Sequence, residues 1–290
     1  MKPFGEFLMR NRWNAALLAL VFAAVPFLNW LAMIIMSLVT LRKGAKEGIF
    51  VLVFALVPSI VYGIFGDWTV AYYAIPAAFA LWVLASVLHA THNWTWVLLA
   101  GVLITLFILA GMHLYMDDVN AWWQQKMMAY MQQAGKEVAL STEQQAVLME
   151  RMAVIGLGLQ AALLLLVDLV WLCFARYWQA LIYNPGKLQS ELYSVRMPIW
   201  ASIMMVLLCA VAWGLRVGII VDIMPSLLLC FALAGLSVMH YMIKARQRSW
   251  IWFLLMYLAM FFLLPYMLVA LLVVAVSDSV FNLRRRVTPQ

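Results

Sequence analysis

The sequence predicts an all-α protein, a polytopic transmembrane helical bundle of about eight to ten spans with an amphipathic extracytoplasmic helical insert. Three observations predict it. Of its 290 residues, 67% are hydrophobic and 11% charged, with mean hydropathy +0.97; a soluble domain is about half apolar and a quarter charged. Lys and Arg fall in short clusters between apolar segments: Lys2/Arg10/Arg12, Arg42/Lys43/Lys46, Lys244/Arg246/Arg248 and Arg284/Arg285/Arg286. That is how cytoplasmic loops facing anionic lipid are charged, so the net charge of +7 is topological and does not call for a nucleic-acid partner. The third observation is the stretch 117–151, where apolar residues recur at helical spacing without a run long enough to span.

In chain order, a basic start leads into Trp13–Leu41, about 29 apolar residues or roughly 43 Å of helix against a core of about 30 Å. This run is too long for a signal-peptide core and is expected to remain as an anchor. Basic clusters flank it on both sides and Pro26 and Asn29 lie near its middle, which favours a short-limbed hairpin over one long kinked helix. Ile251–Ser277, with Pro265 near its middle, repeats the arrangement. Both termini then face the cytoplasm.

Ile49–Phe65 and Trp68–Leu88 read as spans joined by a loop at Gly66-Asp67, and Trp94–Met116 follows a loop at His89–Asn93. The insert opens at Asp117-Asp118, one of which caps a helix carrying Val119, Trp122/Trp123, Met127 and Tyr130/Met131 on one face. Gly135 would stop it, and Ser141–Gln144 resembles a capping box for the next helix. Met152–Ala175 is the next span, 174–198 is expected as a cytoplasmic loop with a turn at Asn184-Pro185-Gly186, and Pro198–Leu215 and Val217–Ile243 complete the set.

Candidate functional residues are few. Asp168 and Asp222 lie well inside apolar runs, where an ionisable group is costly and faces the bundle interior. Gln160 stands about two turns before Asp168, so Asp168, Gln160 and Asp222 are the candidate solute contacts, beneath the amphipathic insert. Ala15, Ala19 and Ala23 recur every four residues, a small-residue face on which another helix can pack. Tyr183, Asn184, Pro185, Gly186 and Arg196 are candidates for docking a protein partner, the basis of a rival reading as a membrane scaffold. Cys173, Cys209 and Cys230 sit in apolar runs as buried hydrophobes, and His89 and His92 lack further ligands nearby, so neither a metal nor a cofactor is expected. With no phosphate-cradling loop or catalytic triad signature, the chain does not read as an enzyme.

FLMRNRWNAALLALVFAAVPFLNWLAMIIMSLVTLRKGAKEG and RYWQALIYNPGKLQSELYSVRMP resemble the YybS-like family of bacterial integral membrane proteins. The resemblance implies an inner-membrane location and a distant similarity to the substrate-binding S components of energy-coupling-factor transporters. It further implies a small-molecule solute and a membrane coupling subunit that docks on Ala15, Ala19 and Ala23. S components have about six spans, fewer than this chain's apolar segments predict.

Overall fold

The computed structural model describes residues 2–66, 68–133, 142–215 and 217–286. Asp67, the stop at Gly135, the capping box side chains at 141–144 and Arg216 lie outside the described residues. Among the described residues the chain is helical and has no strand. The helices are α1 (Lys2–Arg10), α2 (Arg12–Ala24), α3 (Asn29–Lys43), α4 (Ala45–Phe65), α5 (Thr69–Thr91), α6 (Trp94–Tyr115) and α7 (Val119–Gln133). They continue with α8 (Thr142–Tyr183), α9 (Lys187–Tyr193), α10 (Ile199–Leu215), α11 (Gly218–Ala245), α12 (Ile251–Phe262) and α13 (Leu264–Phe281).

Among the described residues, six helices are long and apolar enough to cross a bilayer: α4, α5, α6, the Met152–Tyr183 part of α8, α11 and α13. The expected eight to ten spans counted four further limbs, α2, α3, α10 and α12. These limbs are short, about 18–26 Å at 1.5 Å per residue.

The first apolar run is a hairpin. Pro26 disfavours the α region for the residue before it, and Val25 is extended at ψ 122°. Phe27, at φ +64°, turns the chain and α3 returns against α2. Every residue of α3 from Ala32 to Leu41 is buried, because α2, α4, α5 and α8 surround it. A helix apolar on all sides belongs in a core, and α3 is the hub of the N-terminal half. Gly48 lets α4 close on it, since a Cβ there would lie 1.9 Å from Thr40 Oγ1.

The C-terminal run also folds back. Tyr257 of α12 meets His240 at 3.0 Å, while Arg284, just beyond α13, lies over the neighbouring Tyr241 ring at 5.9 Å. A straight helix would separate Tyr257 from Arg284 by about 40 Å. The reversal is at Leu263, with Pro265 inside the first turn of α13, where its missing N–H costs nothing. Gly235 allows α11 and α13 backbones to touch, a Cβ there falling 2.1 Å from the Leu271 carbonyl.

α8 runs through residue 183, so 174–183 is helix where a loop was expected. Arg176 looks like a membrane boundary in sequence, yet it is buried and held by a two-pronged ion pair to Glu191, Nε to Oε2 at 2.9 Å. The Asn184-Pro185-Gly186 turn follows, with Gly186 at φ +85°, and then α9 and an extended link. Gln179 donates to the Leu41 carbonyl at 3.0 Å and the His89 ring meets the same oxygen at 3.0 Å, which satisfies the buried end of α3. These contacts gather Arg42, Arg176, Arg196 and Arg284 at one end of the bundle, and Trp68, Tyr115, Asp118 and Trp122 at the other.

Candidate functional site

At the aromatic end, α5, α6 and α8 splay around a cavity of about 570 Å³. Its walls are almost wholly apolar: Ala71, Ala80, Leu84, Leu109, Leu157 and Leu165 are buried within the bundle. Small residues on one wall, Ala77, Ala80 and Gly111 among them, leave the space that larger side chains would fill.

α7 covers it. Asp118 caps this helix by accepting from Ala121 N at 3.0 Å, as the sequence suggested for one of the two aspartates. Val119 and Trp123 are buried, so the apolar face of α7 lies on α8. Trp123 packs over Gly156, whose absent side chain makes room for the indole (a Cβ would lie 2.4 Å from it), and donates from Nε1 to Gln160 Oε1 at 3.1 Å. Trp122, next along, lines the cavity.

Gln160 and Asp168, two turns or about 12 Å apart on α8, both line this space. Asp168 is only 3% exposed and has no hydrogen-bond or ion-pair partner among the described residues. A carboxylate at membrane depth costs about 3 kcal/mol or more unless something compensates it. No Lys, Arg or His is among the described residues lining the cavity. Asp168 is therefore an uncompensated group that faces open space.

Asp222 lies elsewhere. It is 1% exposed, packed against Gly158 on α8, and its Oδ2 meets His113 Nε2 at 2.8 Å. His113 meets one of its two oxygens while the buried Oδ1 has no hydrogen-bond partner among the described residues, and Asp222 does not line the cavity with Asp168 and Gln160. The two residues are 109 positions apart, and nothing in local sequence pattern announces such a pairing.

The candidate docking residues are also largely used internally. Ala15 and Ala19 are fully buried, and Ala23 is half-buried against the same core, because α4 and α3 occupy the small-residue face of α2. That face is not open to a coupling subunit. Arg42 stacks on Tyr183 at 4.1 Å. Arg196 donates from Nε to the Asp278 carbonyl at 3.0 Å and from Nη2 to the Ser279 carbonyl at 2.8 Å. Only Asn184, Pro185 and Gly186 remain exposed.

Besides Glu191, sequence reasoning passed over another buried acid. Asp278 is 1% exposed and its Oδ2 lies 3.3 Å from Arg284 Nε and 3.9 Å from Arg196 Nε. Arg284 also donates to the Tyr193 and Val195 carbonyls, and its burial lowers its pKa, with Asp278 opposing the shift. In sequence Asp278 stands six to eight residues before an arginine cluster, at what reads as a helix end, so its burial leaves no signal.

A second cavity of about 600 Å³ lies at the basic end, lined by α8, α9, α11 and α12. Of its polar side chains, His240 bonds the Leu236 carbonyl and Tyr257 and Ser237 donates to the Leu192 carbonyl, while the buried Trp94 Nε1 has no hydrogen-bond partner among the described residues. No family model matches the chain, and no curated protein or solved structure is detectably similar to it.

Proposed function

We propose that this membrane-embedded helical protein binds a small solute in the cavity roofed by α7, in the manner of a permease or of the binding component of a transporter. The observation that carries the reading is Asp168, a buried carboxylate without a partner, facing a largely apolar cavity of about 570 Å³. Ligand sites of about 300–1,000 Å³ with apolar walls and a few placed polar groups are the common form of small-molecule pockets. An ionisable residue inside a membrane bundle marks a substrate path more often than a structural bond, especially when the structure offers it no mate.

The basic clusters at one end support an orientation in which that end faces the cytoplasm of a bacterial inner membrane, with both termini on the same side. The YybS-like resemblance supports the same membrane. α7 and the aromatic mouth then face outward, and the solute is taken from that side. The scaffold reading rests on the exposed Asn184-Pro185-Gly186 turn alone.

A thermal-shift screen of the detergent-purified protein against metabolites tests the reading. Ala161, which lines the cavity, is the control position, since Ala161→Phe fills the space without touching Asp168. At least one compound should raise the melting temperature of the native protein and leave Ala161→Phe unmoved. A panel without effect, or an equal shift in both proteins, would overturn it.

A further inference from the structure

We infer, on the strength of the solute-binding reading above, that the solute is a lipophilic organic cation whose charged end reaches Asp168. The lining is one-signed: among the described residues Asp168 is its one acid, and no Lys, Arg or His accompanies it. An anion entering would find no basic side chain to offset its own charge in an apolar space, and Asp168 could only stay neutral or repel it, which makes the site unfavourable to phosphates and carboxylates.

The remaining polar groups narrow the class further. Thr105 donates its hydroxyl to the Gly101 carbonyl at 2.9 Å, and Gln160 Oε1 is taken by Trp123. One turn before Asp168 on α8, Leu164 and Leu165 line the cavity. A solute bearing carbonyl or ether oxygens gains at most single neutral hydrogen bonds, from the Asp168 carboxyl or the Gln160 amide, whereas a positive group holds Asp168 in its charged form and gains an ion pair. The path is suited to a cation as well, because Trp68, Tyr72, Tyr73, Tyr115 and Trp122 line the cavity, and aromatic faces attract cations that have shed water. Tyr72 and Tyr73 stand edge to face at 5.3 Å, so the rings present more than one plane. Electrostatic pull at depth, aromatic surface along the way and apolar walls elsewhere together describe a hydrophobic cation and exclude a small hydrated one.

The test is a pair of ions matched in size and shape but opposite in charge. Radiolabelled tetraphenylphosphonium and tetraphenylborate are titrated onto the full chain in phosphatidylcholine nanodiscs, with empty nanodiscs subtracted. Tetraphenylphosphonium should bind saturably, near one per chain, with tetraphenylborate showing no saturable component. Asp168→Asn, which keeps shape and removes charge, should weaken the cation at least tenfold. Ala161→Phe, which keeps the carboxylate and fills the space, should abolish binding, so the outcome does not hang on one variant folding. Equal binding of the two ions, or a cation affinity unchanged in Asp168→Asn, overturns the inference. A neutral or anionic compound that stabilises the native protein but not Ala161→Phe overturns the cation class while leaving the solute site standing. If no compound of any charge binds, both fall.

Discussion

Replacing Arg196 by alanine separates a structural role for the 174–198 region from a docking role. The guanidinium sits at the C-terminal end of α13, where the last carbonyls of a helix lack intrahelical partners and the dipole favours a cation. It fills the vacancy at the Ser279 carbonyl, adds a second donor to the Asp278 carbonyl that Asn282 N already meets, and stands 3.9 Å from the Asp278 carboxylate. Hydrogen bonds from a charged donor contribute about 1.5–3 kcal/mol each, and the side chain is 36% exposed, so water recovers part of the loss. The net cost is about 2–3 kcal/mol, with Arg196→Lys intermediate because an ammonium cannot reproduce the two-pronged geometry. The assay is a detergent thermal melt of the fluorescently tagged protein, paired with crosslinking in membranes. The melt should fall by several degrees for Arg196→Ala, while Asn184→Ala, on the exposed turn, leaves it unchanged. A native-like melt for Arg196→Ala together with loss of a crosslinked protein partner would refute the structural role and restore the docking one.

Other expectations follow from the same packing. His113→Phe leaves Asp222 buried without its partner and should cost about 3–5 kcal/mol, while the double change His113→Phe/Asp222→Asn recovers part of it; a double-mutant cycle of melts measures the coupling. Gly235→Ala drives a Cβ into the Leu271 carbonyl and should destabilise by about 2 kcal/mol or more, read as a lowered melt and reduced yield of folded protein. Trp123→Phe removes the bond to Gln160 and keeps most of the packing, so it should cost about 1 kcal/mol and speed release of bound tetraphenylphosphonium by loosening the roof.

Much of the architecture is visible in the chain because the membrane imposes it. Basic clusters on both sides of Pro26 and of Pro265 demand that each segment return to the same side, and both runs fold back in the structure. Asp118 capping α7 is a local signal, readable from spacing alone. Asp168 and Gln160 were legible as one site because helical period puts both on the same side of α8. What stayed hidden depends on tertiary pairing. Arg176 marks a membrane boundary only if it has no acid nearby, and Glu191 reaches it across the turn before α9. The alanine face of α2 reads equally well as an inner or an outer contact, and α4 decides it. Asp222 with His113, and Asp278 with Arg284, bring together distant or inconspicuous residues whose need for partners is clear in sequence while their identity is not.

Native mass spectrometry of the protein released from its own lipids tests the central claim most directly. The cavity beneath α7 predicts a small molecule retained at one per chain by the native protein, absent from Ala161→Phe and diminished in Asp168→Asn. Identical spectra for all three proteins, with lipid as the sole companion, would contradict it.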